Sequence, residues 1–391
     1  MNRKKVLISI FALICAASLF AEEPGKPEEP KKEEQKKPEV KLEGKIFAEY
    51  KQNLEKDVAN YYYGFAVTRA YLTGKAKIDD VWSAKITIDA GNIEALGKDG
   101  DDPTKNVTTT SRGYEFFVKN AYVQAAPSFG DYGLVLQFGM IGTPIIGLID
   151  DISDYRWVYN NYIDKAGDVL INPNDSTKSL SIDTSADLGA SLKIDIMKYG
   201  DKKKNAMVSV TGAVMNGEGY KKTDESTNGY RGKAMYAQIT VNPIAEVFIS
   251  GYMRREAYAA TLLNTFYGGT IGYDSKIIKA GVSYIMGKKG ELTDDEKYTI
   301  LDLYVNANLN DVAGLPVLIM GRYAMGSYKQ GDTISTSASK VTVMAIGAGY
   351  QFNDYVRFLA YYENKQSKAY KALYSDDGDL QAFYVKSEIK F

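Results

Sequence analysis

Sixteen stretches between Leu42 and Phe391 alternate apolar and polar residues with a period of two, and the connections joining them alternate in length. Successive side chains of a β-strand point to opposite faces, so this period marks strands with one apolar and one polar face. In "WSAKITIDAG", Trp82, Ala84, Ile86, Ile88 and Ala90 share one face, opposite Ser83, Lys85, Thr87, Asp89 and Gly91. "LVLQFGM" sets Leu134, Leu136, Phe138 and Met140 against Val135, Gln137 and Gly139. "ADLGASLKIDIMK" sets Leu188, Leu192, Ile194 and Ile196 against Asp187, Ser191, Lys193 and Asp195. "TILDLYVNANL" sets Leu301, Leu303, Val305 and Ala307 against Asp302, Tyr304, Asn306 and Asn308. One stretch, "YEFFVKNAYVQAA", changes parity near Lys119, which is either a β-bulge or a misread strand.

The strands begin near Gly44, Tyr63, Trp82, Gly113, Leu134, Thr184, Ala206, Arg231, Glu246, Thr265, Ile277, Glu296, Leu315, Lys340, Tyr355 and Asp379. Seven connections are tight: Asp79–Val81, Pro127–Gly133, Tyr199–Asn205, Asn242–Ala245, Ser275–Lys276, Asn310–Gly314 and Phe352–Asp354. The other eight are longer and polar, near Glu55–Tyr62, Ile93–Arg112, Thr143–Asp183, Gly217–Tyr230, Tyr258–Asn264, Gly287–Asp295, Tyr328–Ser339 and Gln366–Gly378. Short and long alternate strictly, as in an even-stranded barrel with short periplasmic turns and long outer loops. The expected fold is therefore all-β: a transmembrane, antiparallel, up-and-down β-barrel of sixteen strands, with fourteen and eighteen as the neighbouring counts. A soluble propeller or sandwich also has short strands and turns. Strands of roughly 10 to 12 residues, apolar on one face and charged on the other, fit such a fold poorly. In a barrel the apolar set meets lipid, the polar set meets a watery lumen, and closure removes the strand edges that lipid cannot satisfy. The stretch "QAFYVKSEIKF" then closes the sheet against Gly44–Leu54, with Phe383, Val385, Ile389 and Phe391 facing lipid.

Composition narrows the function. Basic and acidic residues balance at 48 and 49, which gives no reason to expect nucleic acid as a partner. The chain has no histidine, which removes the commonest general base, the commonest metal ligand and every Ser-His or Cys-His nucleophile. No catalytic, cofactor-binding or metal-binding residue is assigned, and no enzyme activity is expected. The acidic runs Asp99–Asp102 and Asp376–Asp379 lack calcium-loop spacing and read as solvated loop tips, and Gly347 and Gly349 lie in a strand rather than at a nucleotide-binding turn.

Residues 1–21 carry a basic start (Arg3, Lys4, Lys5), an apolar run from Val6 to Phe20 and small residues before Glu22, the anatomy of a secretory signal peptide. A membrane anchor is the alternative, and lipidation at Cys15 is disfavoured by Ile14 before it. Residues 22–41 hold seven acidic residues, six basic residues and four prolines, with almost nothing to bury, and read as a disordered periplasmic spacer. The barrel is expected over residues 42–391.

The lumen is the expected functional surface. Parity places Arg69, Lys75, Lys85, Asp89, Lys193, Asp195, Arg254, Asp302, Arg322, Arg357 and Lys386 along it, with Lys77, Glu363 and Glu388. The two signs are mixed. They either hydrate a wide pore and pair across strands, or include a basic ladder that concentrates anions. The connection Thr143–Asp183 contains "TPIIGLIDDISDYRWVYNNYIDKAGD", too apolar and aromatic to lie in solvent. Folded inward it would narrow the pore and place Asp150, Asp151, Asp154 and Arg156 at the constriction. The alternatives are that it lies across the mouth or packs on a neighbouring subunit.

"GFAVTRAYLTGKAKI" (Gly64–Ile78), "QFGMIGTPIIGLIDDISDYRW" (Gln137–Trp157) and the aromatic-ended last strand together resemble bacterial outer-membrane porins, and among these the phosphate-selective porin O and P group. The resemblance implies a homotrimeric, sixteen-stranded, water-filled channel in the outer membrane of a diderm bacterium, with the third long loop folded inward. It implies that Phe391 is read by the barrel-insertion machinery, and it makes Arg69 a pore-lining residue. In that group selectivity rests on dense arginine and lysine ladders, whereas this chain has nine arginines in all. The expected function is passive diffusion of small hydrophilic solutes and ions. An anion-, phosphate- or oligosaccharide-preferring channel, or a surface-exposed structural or adhesin barrel with a loop-blocked lumen, are the alternatives.

Overall fold

The computed structural model describes residues 38–54, 63–96, 110–172, 175–179, 181–199, 205–217, 219–220, 233–257, 262–291, 295–310, 314–330, 340–367 and 379–391. The signal-peptide reading and most of the spacer reading lie outside these residues. Sixteen strands form the wall: β1 (Glu39–Asn53), β2 (Tyr63–Lys77), β3 (Trp82–Leu96), β4 (Thr110–Ala125), β5 (Tyr132–Gly142), β6 (Ala186–Tyr199), β7 (Asn205–Met215) and β8 (Ala234–Ile244). The series continues with β9 (Val247–Ala257), β10 (Leu262–Asp274), β11 (Ile278–Glu291), β12 (Asp295–Asn308), β13 (Val317–Gln330), β14 (Lys340–Gln351), β15 (Val356–Ser367) and β16 (Asp379–Lys390). Each pairs antiparallel with its sequence neighbours, and β16 pairs with β1 from Lys45↔Lys390 to Asn53↔Ala382. Gly44 and Phe391 exchange both backbone hydrogen bonds, at 2.7 and 3.0 Å, which extends this seam. The Phe391 ring lies over Gly44 where a Cβ would stand, so a side chain at that glycine would push the ring off.

The period-two faces are as read. Outward positions such as Leu72, Ile86, Leu136, Val282 and Ile319 are exposed, whereas Asp89, Asp195, Asp302 and Tyr304 point inward and are buried. The parity change near Lys119 is a bulge: Thr87 pairs with Asn120 and Ile88 with Val118, so Lys119 is extra and faces inward beside Asn120. A second bulge at Thr68 lies between the pairs Phe47↔Arg69 and Ala48↔Val67.

Four boundaries differ from expectation. The first strand begins at Glu39, inside the stretch read as spacer, because Glu39, Val40 and Lys41 pair with Lys77, Ala76 and Lys75. The connections 258–261 and 292–294, read as long, are short. The ladders across them continue to Ala257↔Leu263 and Gly290↔Asp295. Conversely, 309–316 is longer than the tight turn read around Asn310–Gly314.

The connection 143–185 runs inside the barrel. It opens with helix α1 (Pro144–Ser153), continues through a single 3-10 turn (Ala166–Asp168), and includes a small antiparallel pairing of Ile171–Asn172 with Asp175–Ser179. Thr143 donates through its hydroxyl to the Thr184 carbonyl at 2.8 Å and through its amide to the Ser185 carbonyl at 3.2 Å. These bonds stitch the two legs together where they leave β5 and β6. Proline at the first helical turn is favourable because its missing N–H has no intrahelical partner. Ile145, Ile149 and Ile152 recur at helical spacing and are buried. The segment's apolar residues join inward side chains of β7 to β14, including Tyr236, Phe266, Tyr298, Ile300 and Val341, in the largest core cluster. A second cluster sets Tyr155, Trp157 and Val158 against Phe47, Leu318, Met320, Leu359 and Tyr384. Each fully buried isoleucine contributes roughly 1.5–3 kcal/mol, which accounts for a loop that leaves solvent for the lumen. Gly326 on β13 permits the closest approach, since a Cβ there would collide with the Val169 carbonyl.

Candidate pore and its inner segment

Beside the inner segment a cavity of about 460 Å³ remains against the β1–β4 side of the wall. Its wall side is formed by alternate residues of neighbouring strands: Lys45 and Phe47 of β1, Tyr71 and Lys75 of β2, Lys85 and Thr87 of β3, and Lys119 of β4. The opposite side is the acidic face of α1 and its exit, with Asp150, Asp151, Asp154, Arg156 and Trp157, and Arg357 and Glu388 complete the lining. A helix with isoleucines on one stripe and aspartates on the other turns its charges toward the remaining water.

Many of these charges are neutralised locally. Lys75 pairs with Glu43 at 2.7 Å. Arg156 pairs with Asp150 and, at 2.7 Å, with Asp164, while the Asn161 amide donates to Asp150 at 2.7 Å. Burial pushes the Asp150 carboxyl up despite Arg156 beside it. For Asp164 burial also acts upward, but the Arg156 charge and hydrogen bond outweigh it and hold the group below the usual carboxylate range. Burial and the neighbouring Asp150 push Asp151 up. Asp154 caps α1 with φ of 54°, a left-handed backbone that aspartate tolerates better than most residues. Its carboxylate meets Arg357 at 3.0 Å, and although burial opposes ionisation, that charge lowers it overall. Arg357 also donates to Glu388 at 2.5 Å and lies 4.8 Å from the Trp157 ring centroid.

Near mid-strand, Arg69 donates to Asp89 and, at 3.2 Å, to the Tyr220 hydroxyl, which itself donates to Asp89 at 3.0 Å. Tyr220 belongs to the connection after β7, and its amide is held by the Ala186 carbonyl at 3.0 Å. The bulged Lys119 places its ammonium 5.0 Å from the Tyr71 ring centroid and 5.8 Å from that of Tyr220. Among the described residues neither Lys85 nor Lys119 has a carboxylate within ion-pair distance.

The inward residues read from parity separate by surroundings. Lys75 and Lys85 line the cavity, with Arg357 at its edge, whereas Arg69 and Asp89 are paired on the same wall and are not part of its lining. Lys193 lies beside a second cavity of about 230 Å³ under Leu148 and Ile152, paired with Asp195 at 3.0 Å, and Ser209 donates to Asp195 at 2.7 Å. Lys386 pairs with Glu49 at 3.0 Å and lies 5.4 Å from the Tyr384 ring centroid. Arg254, Asp302 and Arg322 correct the reading: they point inward but are buried against the inner segment and line neither of these cavities. Arg322 grips Asp302 with two bonds of 2.9 and 2.8 Å, donates to the Asn160 carbonyl at 3.0 Å, and is stacked between the Tyr159 and Tyr162 rings at 4.0 and 3.9 Å. Arg254 contacts Asp183 at 3.4 Å, Glu256 at 2.9 Å and the Tyr236 hydroxyl at 3.0 Å. These arginines act as anchors for the two legs.

Sequence reading missed α1, Tyr220, Lys119 as an inward residue and the Tyr159–Arg322–Tyr162 stack. The helix had a signal in Thr143-Pro144 followed by Ile145, Ile149 and Ile152. Among the described residues no three side chains of metal-ligating type come together.

No family model and no curated protein sequence matches the chain. Solved structures do. An anion-selective porin from Comamonas acidovorans is similar over 91% of this chain and 100% of that one, with 13% identity and a TM-score of 0.61. OmpF of Salmonella typhi, in complex with daunomycin, is similar over 90% and 97% at 10% identity and a TM-score of 0.55. The outer membrane channel DcaP of Acinetobacter baumannii is similar over 90% and 97% at 12% identity and a TM-score of 0.52. At these identities the likeness establishes the fold, a closed sixteen-stranded antiparallel barrel of porin type.

Proposed function

We propose that the protein is an outer-membrane porin, a water-filled channel for passive diffusion of small hydrophilic solutes and ions. The observation that carries this reading is a closed barrel, apolar outside, whose inner segment fills one side of the lumen and leaves a charged cavity along the other. An outward belt of this kind is costly in water and at home in lipid, and closure satisfies every wall strand there. Long connections face outward from the cell in this reading and the short turns face the periplasm. Lys75, Lys85 and Arg357 are proposed as lining, with the Arg69–Asp89 pair on the same wall and Asp150, Asp151, Asp154 and Arg156 as the constriction. Assembly as a homotrimer and insertion through the strand ending at Phe391 belong to the same reading, and no reaction is part of it. Purified protein added to a planar lipid bilayer is expected to give stepwise conductance increases. Absence of steps from folded protein would favour a structural barrel instead.

A weak anion preference is the second reading. It is favoured by Lys85 and Lys119, cavity-lining cations without a carboxylate partner among the described residues, and it accords with the anion-selective neighbour. Phosphate specificity has no dense arginine ladder to support it among the described residues: Arg254 and Arg322 are buried and do not line the cavity. Reversal potentials in a salt gradient distinguish these, since a strong anion preference would overturn the general-porin reading.

A further inference from the structure

The outer surface of the barrel differs between its two faces at the long-connection end. On β2, β4 and β5 the outward residues toward that end are Phe65, Phe116 and Phe138, exposed by 85%, 75% and 67%. On β11 to β14 they are lysines. Lys288 stands directly opposite Lys297, and Lys297 directly opposite Lys329. Lys340 stands opposite Ser327, one diagonal step from Lys329. All four are exposed and share the outward parity of Val282, Tyr284, Val305 and Ile319.

Cross-strand partners have Cβ atoms roughly 4.5–5.5 Å apart, and like charges directly opposite one another are unfavourable. The Lys297–Lys329 pair, with Lys340 beside it, therefore concentrates positive charge where the fold alone gains nothing from it. The rows below grade in polarity. Tyr267, Met286, Thr299 and Ser327 form the next register row, and Gly269, Tyr284, Leu301 and Met325 the one after. A shallow groove of about 340 Å³ lies across the lysine row and the row next to it, bordered by Tyr267, Met286, Lys288, Lys297 and Lys329. Cations above, hydroxyls between and apolar side chains beneath match, in order and orientation, the phosphate, linkage and acyl regions of a charged lipid.

We infer that the lysine row on β11–β14 is a binding site for the phosphate group of an anionic membrane lipid, whose linkage region lies in the groove and whose acyl chain runs over the apolar row beneath it. A phosphate bridging neighbouring ammonium groups converts their repulsion into paired attraction, and the polarity grading fixes the height of the barrel in the bilayer. This inference rests on the membrane reading proposed above.

The test reconstitutes the wild-type chain and a Lys297→Gln/Lys329→Gln/Lys340→Gln variant into nanodiscs of phosphatidylcholine with or without one-third phosphatidylglycerol. Unfolding is followed by heat-dependent gel mobility, and lipid adducts are followed by native mass spectrometry. Phosphatidylglycerol is expected to raise the wild-type unfolding temperature and to remain as adducts. The variant is expected to lose both effects, and the matching arginine variant to keep them. Equal shifts and adducts in wild type and glutamine variant would overturn the inference. So would reproduction of the shift by inorganic phosphate in phosphatidylcholine, which would make the site one for the free anion. If the triple variant does not close, Lys297→Gln and Lys329→Gln are tested singly, each expected to reduce adduct retention, and unchanged retention in both again overturns the site. Bilayer conductance of the same preparations separates the two proposals. Loss of channel steps in both proteins counts against the porin reading alone, whereas loss of lipid dependence with steps intact concerns the lysine row alone.

Discussion

The two sides of the lumen use the same alphabet of inward charges for opposite ends. Against β7 to β14 the inner segment is packed on aromatic and aliphatic side chains, and the inward arginines are consumed in holding it: Arg254 on Asp183, and Arg322 on Asp302 between two tyrosines. Against β1 to β4 the segment packs on Phe47 but leaves a cavity, lined by Lys45, Lys75, Lys85 and Lys119 on the wall side and by Asp150 and Asp151 on the other. A buried charge must be paired and hydrogen-bonded, whereas one beside water need not be. The difference shows that an inward arginine in a barrel is not by itself a channel residue. Its role depends on whether the inner loop covers it.

Three perturbations test this contrast, in falling order of effect on stability. Arg322→Ala removes the partner of buried Asp302 and the stack between Tyr159 and Tyr162. Breaking a buried pair costs about 3–5 kcal/mol. The unfolding temperature in detergent is expected to fall by many degrees, with noisy, enlarged conductance as the segment detaches. Unchanged stability would mean the sealed side is not the anchor.

The second perturbation is pH. Asp183 sits in the C-terminal leg, and burial, only partly offset by Arg254, pushes its carboxyl up to about 6. A raised carboxyl binds its proton more tightly folded than unfolded. Its contribution is therefore complete below about pH 4 and lost as pH rises through about 6, a change of up to about 3 kcal/mol for two units. Asp154 has the opposite sign: Arg357 lowers it against the effect of burial, so its stabilisation is present above about pH 4 and lost in stronger acid. Between pH 4 and 6.5 the unfolding temperature of the wild type is expected to fall, and Asp183→Asn should flatten that slope while Asp154→Asn leaves it. An identical slope in Asp183→Asn would remove Asp183 from the account.

The smallest effect on stability, and the largest on permeation, is expected from Lys85→Glu. Its site faces the cavity, so stability should move by less than about 0.5 kcal/mol. The reversal potential in a potassium chloride gradient should shift toward cations, and no shift would mean that ions do not pass along β1 to β4.

The wall was readable because each strand carries its own evidence. Asp302, Tyr304 and Asn306 alternate with Leu301, Leu303 and Val305, and nothing distant is needed to assign their faces. The inner segment was readable only as something that must be buried. Leu148 and Ile146 blur the helical stripe of Ile145, Ile149 and Ile152, and the partners of that stripe lie on strands far along the chain. For the same reason Arg322 and Lys85 looked equivalent: parity gives direction but not cover. Tyr220 gave no local sign, since its contacts with Asp89 and Arg69 join residues more than a hundred positions apart. The short connections 258–261 and 292–294 were misjudged because charged residues near the rim look like loop while still holding the ladder.

The bulge at Lys119 also bears on how such a channel can change over evolutionary time. In a regular strand every inward position is already occupied, so gaining a cation there by substitution means surrendering whatever stood in its place. An inserted residue adds a side chain to the lumen without displacing one, and it confines the disturbance to one ladder step, between Thr87 and Ile88. The reverse step is equally local. Deleting Lys119 would leave Val118 next to Asn120, which already lie on opposite faces and already pair with Ile88 and Thr87, so the ladder would become regular and every other residue of β4 would keep its face. The extra lysine can therefore be gained or lost in one step without disturbing the rest of the wall.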